Sequence, residues 1–499
     1  LSGIKKLAGQ TIWYGLSTIV ARFINYLLLP YLTLKLATSV YGEFSLVYSF
    51  IPFMNVVFTY GMETAYFRFS NAKDRDAVFN TTSISLICST LLLTVVLVLL
   101  RAPIATALSV GSHPEYILVA AGIIAIDALC GIPFARLRQE GRPVKFALTK
   151  VTGILVNIAA TYLLISTIPQ YLAQHPDHWM AEYYDPNWAV GYLLLANLIQ
   201  NAVVLLLLSK EFFGFHWKFD AALWKEMMLY GMPLIIVGFA GMVNETFDRI
   251  MLQWWAPVTG ATEANVQVGI YSACYKLSIL ISLAVQAFRM GAEPFFFRQA
   301  ADKNAPKLYA RVMKFFVITL CFMFLFVALY LDVWKQFIRK PEIWVGLKVV
   351  PILLLANMFL GIYYNLSVWF KLSNNTMAGA WITLVGASIT LAINYFLIPH
   401  FGYMACAWAT FSCYGSMMVI SFIWGQKAYP IPYAWKKLLA YIGIVTSFFL
   451  IQKGLLYFYN PFWFQLITGS VLLFVFTWFI LLVEKKEFQK LPVIGKYIH

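Results

Sequence analysis

The sequence predicts an all-α polytopic membrane protein: fourteen transmembrane helices, arranged as two parallel six-helix lobes with two extra C-terminal helices. Three observations predict it. Of 499 residues, 61% are hydrophobic and 12% charged, with a mean hydropathy of +0.73; ordinary soluble domains carry about twice that charge fraction. The apolar stretches run to about 20 residues, the length at which a helix crosses a hydrocarbon core, whereas barrel strands would alternate over about ten. A pattern near the N-terminus also recurs in the middle of the chain.

In order, the spans fall at approximately 11–35, 41–66, 80–100, 116–136, 147–167, 188–209, 228–256, 268–289, 312–334, 345–370, 376–397, 403–424, 437–459 and 462–483. The first follows Lys5 and Lys6 with no small-residue cleavage site after it, so it reads as a retained helix. An even number puts both termini on one side. Lys and Arg in short loops mark the cytoplasmic face: the segment "RLRQEGRPVK" and the 289–311 loop, with Arg298, Lys303, Lys307 and Arg311, are basic, while loop 168–187 has no Lys or Arg. Lys335, Arg339 and Lys340 run against that rule, on the expected outer side. The net charge of +15 is thus mostly topology, and no nucleic-acid partner is needed to explain it. No loop is long enough for an enzyme-sized domain, and none holds a Gly-rich phosphate cradle, so the chain is not expected to be an enzyme.

The six cysteines, Cys88, Cys130, Cys274, Cys321, Cys406 and Cys413, all fall in apolar spans without CxxC spacing and read as small core residues. His175 and His178 flank Asp177 in the outer loop; two histidines without further ligands are a poor zinc signal, and no metal site is expected.

A shift of 227 residues superposes Arg22 on Arg249, Pro30 on Pro257, Gly42 on Gly269, Phe44 on Tyr271, Ser45 on Ser272 and Tyr48 on Tyr275. Three residues further out of register, "GMETAYFR" matches "GAEPFFFR". Spans 1 and 2 therefore correspond to spans 7 and 8. A six-helix repeat keeps its membrane orientation, which relates the lobes by an axis along the membrane normal, a plan of carriers whose substrate site lies at the lobe interface. The expected units are 1–210, 211–425 and 426–499, the last holding helices 13 and 14 and a cytoplasmic tail.

Charges inside spans point to that interface, because a mid-span Arg costs at least about 2.5–3.5 kcal/mol unless it faces a bundle interior or watery cavity. Arg22 is central in span 1, Arg249 lies in span 7, Lys276 in span 8 and Asp127 near the middle of span 4. Two repeat-related arginines could clamp a diphosphate bidentately. For Arg249 a purely internal ion cluster competes, since Glu245 stands at i−4 and Asp248 adjacent; Lys276 could instead snorkel. Asp127, Glu245 and Asp248 are candidates for binding a driving Na⁺ or H⁺, against plain helix pairing. Tyr14 and Tyr26 flank Arg22, Tyr271 and Tyr275 precede Lys276, and "YYNLSVWFKLSNNT", with Asn365, mixes amides with aromatic rings in a way that suits a glycan. Core or interfacial-belt packing is the plainer reading of any one of these aromatics.

The segments "LAGQTIWYGLSTIVARFINYLLLPYLT", "DRIML", "VGIYSACYKLS" and "YYNLSVWFKLSNNT", on a six-plus-six-plus-two plan, resemble the bacterial polysaccharide flippases (Wzx type) of the multidrug/oligosaccharidyl-lipid/polysaccharide exporter superfamily. The resemblance covers nearly the whole chain and implies a MATE-like fold. It also implies a carrier in the bacterial inner membrane, with both termini cytoplasmic, that turns undecaprenyl-diphosphate-linked oligosaccharide units to the periplasmic leaflet. A cationic cavity at Arg22, Arg249 and Lys276 would be assisted by Tyr26, Tyr275 and Asn365. Membrane lipid and polysaccharide polymerases are the implied partners, spans 13 and 14 the groove for the polyprenyl tail, and no cofactor is expected beyond a coupling ion. The rival readings are a cation-coupled multidrug exporter or a cell-wall precursor flippase of the same superfamily and, from another class, a membrane glycosyltransferase or polymerase.

Overall fold

A computed structural model of the chain describes residues 19–20, 23–24, 26–70, 73–299, 304–373 and 375–489. Arg22, Tyr14, Lys303 and most of the first expected span lie outside the described residues. The described residues are mostly helical, with no strand among them.

The helices are α1 (Leu28–Lys35), α2 (Thr38–Thr59), α3 (Met62–Phe69), α4 (Arg75–Leu99), α5 (Glu115–Gln139), α6 (Pro143–Tyr162) and α7 (Ala189–Leu208), then α8 (Ala221–Glu245), α9 (Phe247–Trp255), α10 (Ala261–Gln299), α11 (Ala305–Ala328), α12 (Val350–Leu366), α13 (Thr376–Phe401), α14 (Tyr403–Ala428), α15 (Trp435–Phe458) and α16 (Phe462–Val483). Thirteen described helices are long and apolar enough to cross a membrane, matching expected spans 2 to 14 in order. Their outer faces stay apolar, as at Leu91 and Leu92 of α4 and Phe474 and Trp478 of α16, which suits a lipid solvent.

Two expected spans are interrupted. Span 2 stops at Tyr60 and Gly61, both with positive φ (31° and 75°), before the short α3. Span 7, expected as one helix over 228–256, breaks at Thr246 between α8 and α9. Asp248 causes the break locally: its carboxylate accepts the N–H of Arg249 at 2.8 Å, a side-chain competitor for the helix ladder.

In the first half, α7 packs on α5 and α6, and α5 on α4 and α2; in the second, α14 packs on α13 and α12, and α12 on α10 and α11. The halves meet where α2 crosses α10. A Cβ on Gly42 would lie 1.9 Å from the Asn265 carbonyl, and one on Gly269 2.2 Å from the Thr38 carbonyl. Thr38 and Asn265 are themselves 227 residues apart, so the contact is reciprocal, and small residues permit this backbone approach. At the opposite end, which carries Arg136 to Lys145 and may be called the basic end, Gly61 meets the Gly231 carbonyl of α8.

The last two helices pack on the second half through α11. Glu484, just past α16 and 2% exposed, accepts from Lys314 at 2.7 Å, Lys437 at 2.5 Å and Tyr441 at 2.5 Å. Gln452 of α15 donates to the Leu329 carbonyl at 3.0 Å near the other end. The basic loop that ran against the topology rule is internally compensated: Lys335 pairs with Asp332 at 2.5 Å and stacks on Trp344, and Lys340 lies 3.8 Å from Glu342. Five of the cysteines are buried and Cys88 is exposed, all of them free thiols.

Candidate functional site

Between the halves lies a cavity of about 470 Å³. One wall is α2, which presents Ser45, Tyr48 and Ser49; the other is α10, which presents Ser272, Tyr275 and Lys276. Both sets have the i, i+3, i+4 spacing of one helix face. The α10 stripe continues through Ser282 and Gln286, and Asn157, Asn197 and Asn357 add amides from α6, α7 and α12. Sequence reading missed these amides and serines. The signal that could have found them is a polar stripe at helical spacing on an otherwise apolar span.

The break between α8 and α9 sorts Asn244, Glu245, Asp248 and Arg249 of "NETFDR". Glu245 and Arg249 line the cavity. Asn244 and Asp248 turn into the second half, where Asn244 accepts from Thr390 at 3.2 Å and Asp248 is 3% exposed. Arg249 is not a free cation: its Nη1 donates to Asp248 Oδ1 at 3.0 Å and to the Glu245 carbonyl at 3.0 Å. Tyr271 donates to Asp248 Oδ2 at 2.6 Å, and the guanidinium stacks on Tyr275 at 4.6 Å from the ring centroid. The carboxylate that pairs with Arg249 is thus Asp248, and Glu245 contributes its backbone carbonyl.

Lys276 differs. It is half-buried, its ammonium stands 5.5 Å from the Tyr41 ring centroid, and it makes no ion pair among the described residues. Tyr26 is buried at the cavity edge, 5.7 Å from Phe337 between ring centroids. Asn365, expected at the site, is not among the lining residues: it is 2% exposed, and helical phase brings Asn357, Leu360 and Tyr364 of the same helix to the cavity instead. Arg22 is outside the described residues, so no geometry attaches to the expected arginine pair.

Of the acids expected to take a coupling ion, Glu245 is in this cavity, Asp248 is enclosed by Arg249 and Tyr271, and Asp127 is in a second cavity. That cavity, of about 600 Å³, lies inside the first half. Asp127 Oδ1 accepts from Asn201 at 2.9 Å and Oδ2 from Asn55 at 3.5 Å. Lys150 stands over Phe134 at 4.3 Å, and Glu63 pairs with Arg138.

Long apolar helices closing on a polar cavity between repeat-related walls make this a multi-pass membrane protein of the flippase and exporter fold. Solved structures agree: the lipid II flippase MurJ in its inward closed conformation superposes with a TM-score of 0.66 at 12% identity, covering 95% of this chain and 99% of that one. A MATE in the straight conformation superposes at 0.58 and 14% identity, over 88% and 97% of the two chains. The outward-facing conformation of a multidrug resistance MATE family transporter of the MOP superfamily gives 0.57 and 14%, over 88% and 99%. At these identities the likeness is one of fold. By sequence, residues 7–300 match the family of polysaccharide biosynthesis proteins, and the chain belongs to it. No curated protein matches the sequence.

Proposed function

We propose that the chain is a flippase that carries undecaprenyl-diphosphate-linked oligosaccharide units from the cytoplasmic to the periplasmic leaflet of a bacterial inner membrane. It would do so by alternating access of the units 1–210 and 211–425, for assembly of a surface polysaccharide such as O-antigen, capsule or exopolysaccharide. The observation that carries this reading is Lys276: a half-buried ammonium without an ion pair among the described residues, in a cavity whose other charged lining residues are Glu245 and the Asp248-paired Arg249 and whose remaining polar lining is amides, hydroxyls and rings. An anionic head group compensates such a charge, and the amide and tyrosine lining suits the sugars next to it. Arg22 is proposed to join Lys276 at the diphosphate. Arg249, already neutralised, orders Tyr275 and keeps N–H donors at the cavity edge. Residues 426–499 would guide the polyprenyl tail, both termini would be cytoplasmic, and polymerases would take the product. The chain would act as a carrier, not an enzyme.

The test is translocation of a fluorescent undecaprenyl-diphosphate oligosaccharide in proteoliposomes, with quenching of the outer leaflet. Wild-type protein is expected to speed equilibration and Lys276→Gln to lose most of that gain. Well-folded wild type that gives no acceleration under imposed pH and Na⁺ gradients would overturn the reading in favour of a cation-coupled exporter.

A further inference from the structure

The connection from α6 to α7, at the end opposite the basic one, lines neither cavity. α6 runs on through a π-helical turn, Leu163–Thr167, into a short helix, Ile168–Gln174. The continuous rod from Pro143 to Gln174 has 32 residues, where about 20 suffice to cross hydrocarbon. Its neighbours stop earlier. α5 begins at Glu115 and α7 at Ala189, and Trp188, just ahead of α7, donates to Glu115 at 3.0 Å, which sets those two helix ends level. α6 lies along α7 with Gly153 against Val204, and the Leu164 carbonyl accepts the Tyr184 hydroxyl at 2.9 Å. The helix Ile168–Gln174 therefore stands about 10 Å beyond its neighbours, at 1.5 Å per residue.

That extension carries a chain of touching rings. Tyr171 stacks on His175 with centroids 4.3 Å apart and meets His178 edge-on at 5.4 Å. His178 lies 5.6 Å from Trp179, and Trp179 lies 6.5 Å from Tyr183. Trp179 is 69% exposed and Tyr183 76%. The support beneath them is ordered: Tyr184 stacks on Tyr192 at 4.7 Å, and the Tyr192 hydroxyl accepts the Asp185 N–H at 3.0 Å. His178 Nδ1 accepts the Met180 N–H at 3.2 Å and so caps the turn that carries Trp179. Between the rings stand Asp177 and Glu182, both exposed and without an ion pair among the described residues, in a loop with no Lys or Arg.

This combination selects a partner by its chemistry. Belt aromatics sit at head-group level, whereas these rings lie past it, and their unpaired carboxylates repel anionic lipid. The core of a protein interface gathers rings with Arg and is depleted in acids; here acids are interleaved with the rings. A sugar suits both features. Its C–H face covers the negative face of an aromatic ring, and its hydroxyls donate to carboxylates in charge-assisted hydrogen bonds. The stem of the extension is also tied to the central cavity. Tyr31 of α1 shares a hydrogen bond of 2.7 Å with Ser166 in the π-helical turn, and Leu28 and Leu32 of the same helix line the cavity. Such turns inside long helices are rare and collect at functional sites.

We propose that residues 171–183 are a saccharide-binding platform, with Trp179 and Tyr183 as stacking faces and Asp177 and Glu182 as acceptors of sugar hydroxyls. The carboxylates favour neutral and amino sugars over uronic acids. That the platform receives the sugar end of the transported lipid as it leaves the central cavity rests on the flippase reading; the saccharide site does not.

Full-length protein in nanodiscs, applied to an array of lipid-free bacterial surface oligosaccharides, tests the site apart from transport. Wild type should retain neutral or amino-sugar members, and Trp179→Ala/Tyr183→Ala should weaken the best of them about tenfold, the scale of lost ring contacts. Trp179→Phe, which keeps a stacking face, should retain most of the binding, and Asp177→Asn/Glu182→Gln should admit uronic-acid members that wild type refuses. The truncated rings are exposed, so folding is little affected. In a Cys88→Ser background, which removes the exposed thiol, Trp179→Cys should react readily with a water-soluble maleimide. Shielding of that position by lipid, an array from which wild type retains nothing, or a double variant that binds as wild type does would overturn the platform, even where lipid-linked oligosaccharide is translocated normally. The expected binding pattern in wild type that translocates no lipid-linked oligosaccharide would overturn the flippase reading and leave the platform standing.

Discussion

The two walls of the central cavity share a pattern and differ in charge. Ser45 and Tyr48 of α2 correspond, 227 residues on, to Ser272 and Tyr275 of α10, and Ser49 corresponds to Lys276; all six line the cavity. The tyrosines also diverge in their surroundings. Tyr48 shares the cavity lining with Asn197 of α7, while Tyr275 lies under the guanidinium of Arg249. The duplicated scaffold accounts for where the cavity is; the substitutions within it give the cavity a charged side and a neutral side. A substrate with an anionic end and a sugar end would then bind in one orientation, with complementarity setting specificity more than affinity.

Where the halves are alike, matching changes should have matching effects. Gly42→Leu and Gly269→Leu each push a side chain into a backbone carbonyl at the α2–α10 crossing. Overpacking that side chains can absorb costs about 1–3 kcal/mol, and backbone cannot yield in that way, so the crossing is expected to open completely. Cysteines placed at Thr38 and Asn265 should cross-link in the otherwise unchanged protein and fail to do so in both glycine variants. Failure in only one of them would break the symmetry of the contact.

Where the halves differ, only one should respond. Asp248→Asn leaves Arg249 buried without its carboxylate, a loss of about 3–5 kcal/mol for a broken buried pair, read as a fall in the thermal unfolding temperature in detergent. The residue 227 earlier is Ala21, so the acid next to the arginine has no counterpart in the first half. A smaller effect is expected at Glu484. Burial by itself would raise this carboxyl, but hydrogen bonds from Lys314, Lys437 and Tyr441 outweigh it and hold the group below the ordinary glutamate range. Its contribution is then complete above the unfolded value of about 4.3 and is lost as pH falls through the lowered folded value. Glu484→Gln should cost about 1.5–3 kcal/mol at neutral pH, the range for hydrogen bonds to a charged group, and should flatten the acid limb of the thermal-stability curve below about pH 4.

Much of this was legible in the sequence because membrane helices announce themselves by length and apolarity, and because the repeat tied Tyr48 to Tyr275 before any coordinates. The break at Thr246 was not, since it depends on Asp248 turning back to its neighbour's N–H, a rotamer choice that hydropathy does not register. Adjacency along the chain also misled at Asn365: that residue and Tyr364 are neighbours in sequence, yet helical rotation sends only Tyr364 to the cavity. The amides at Asn157 and Asn197 were overlooked because one neutral polar residue per turn barely perturbs an apolar window. Asp127 was noticed, but its partners Asn55, Lys150 and Asn201 come from three other helices and converge only in the fold.

The finest comparison exchanges the one position at which the walls differ in charge. Lys276→Ser makes both walls neutral and is expected to lower translocation about tenfold, equivalent to roughly 1.4 kcal/mol, with little change in stability because Lys276 has no ion pair among the described residues. Adding Ser49→Lys to that variant returns an ammonium to the cavity from the opposite wall, next to Tyr48 and Asn197 in place of Tyr275 and Arg249. If the cavity needs only a net positive charge, the double variant should regain most of the lost rate. If the substrate is held in one orientation, with its anionic end against α10 and its sugars against the first-half amides, the double variant should stay as slow as Lys276→Ser while binding free diphosphate as well as wild type does. The second result is the one the asymmetry of the walls predicts.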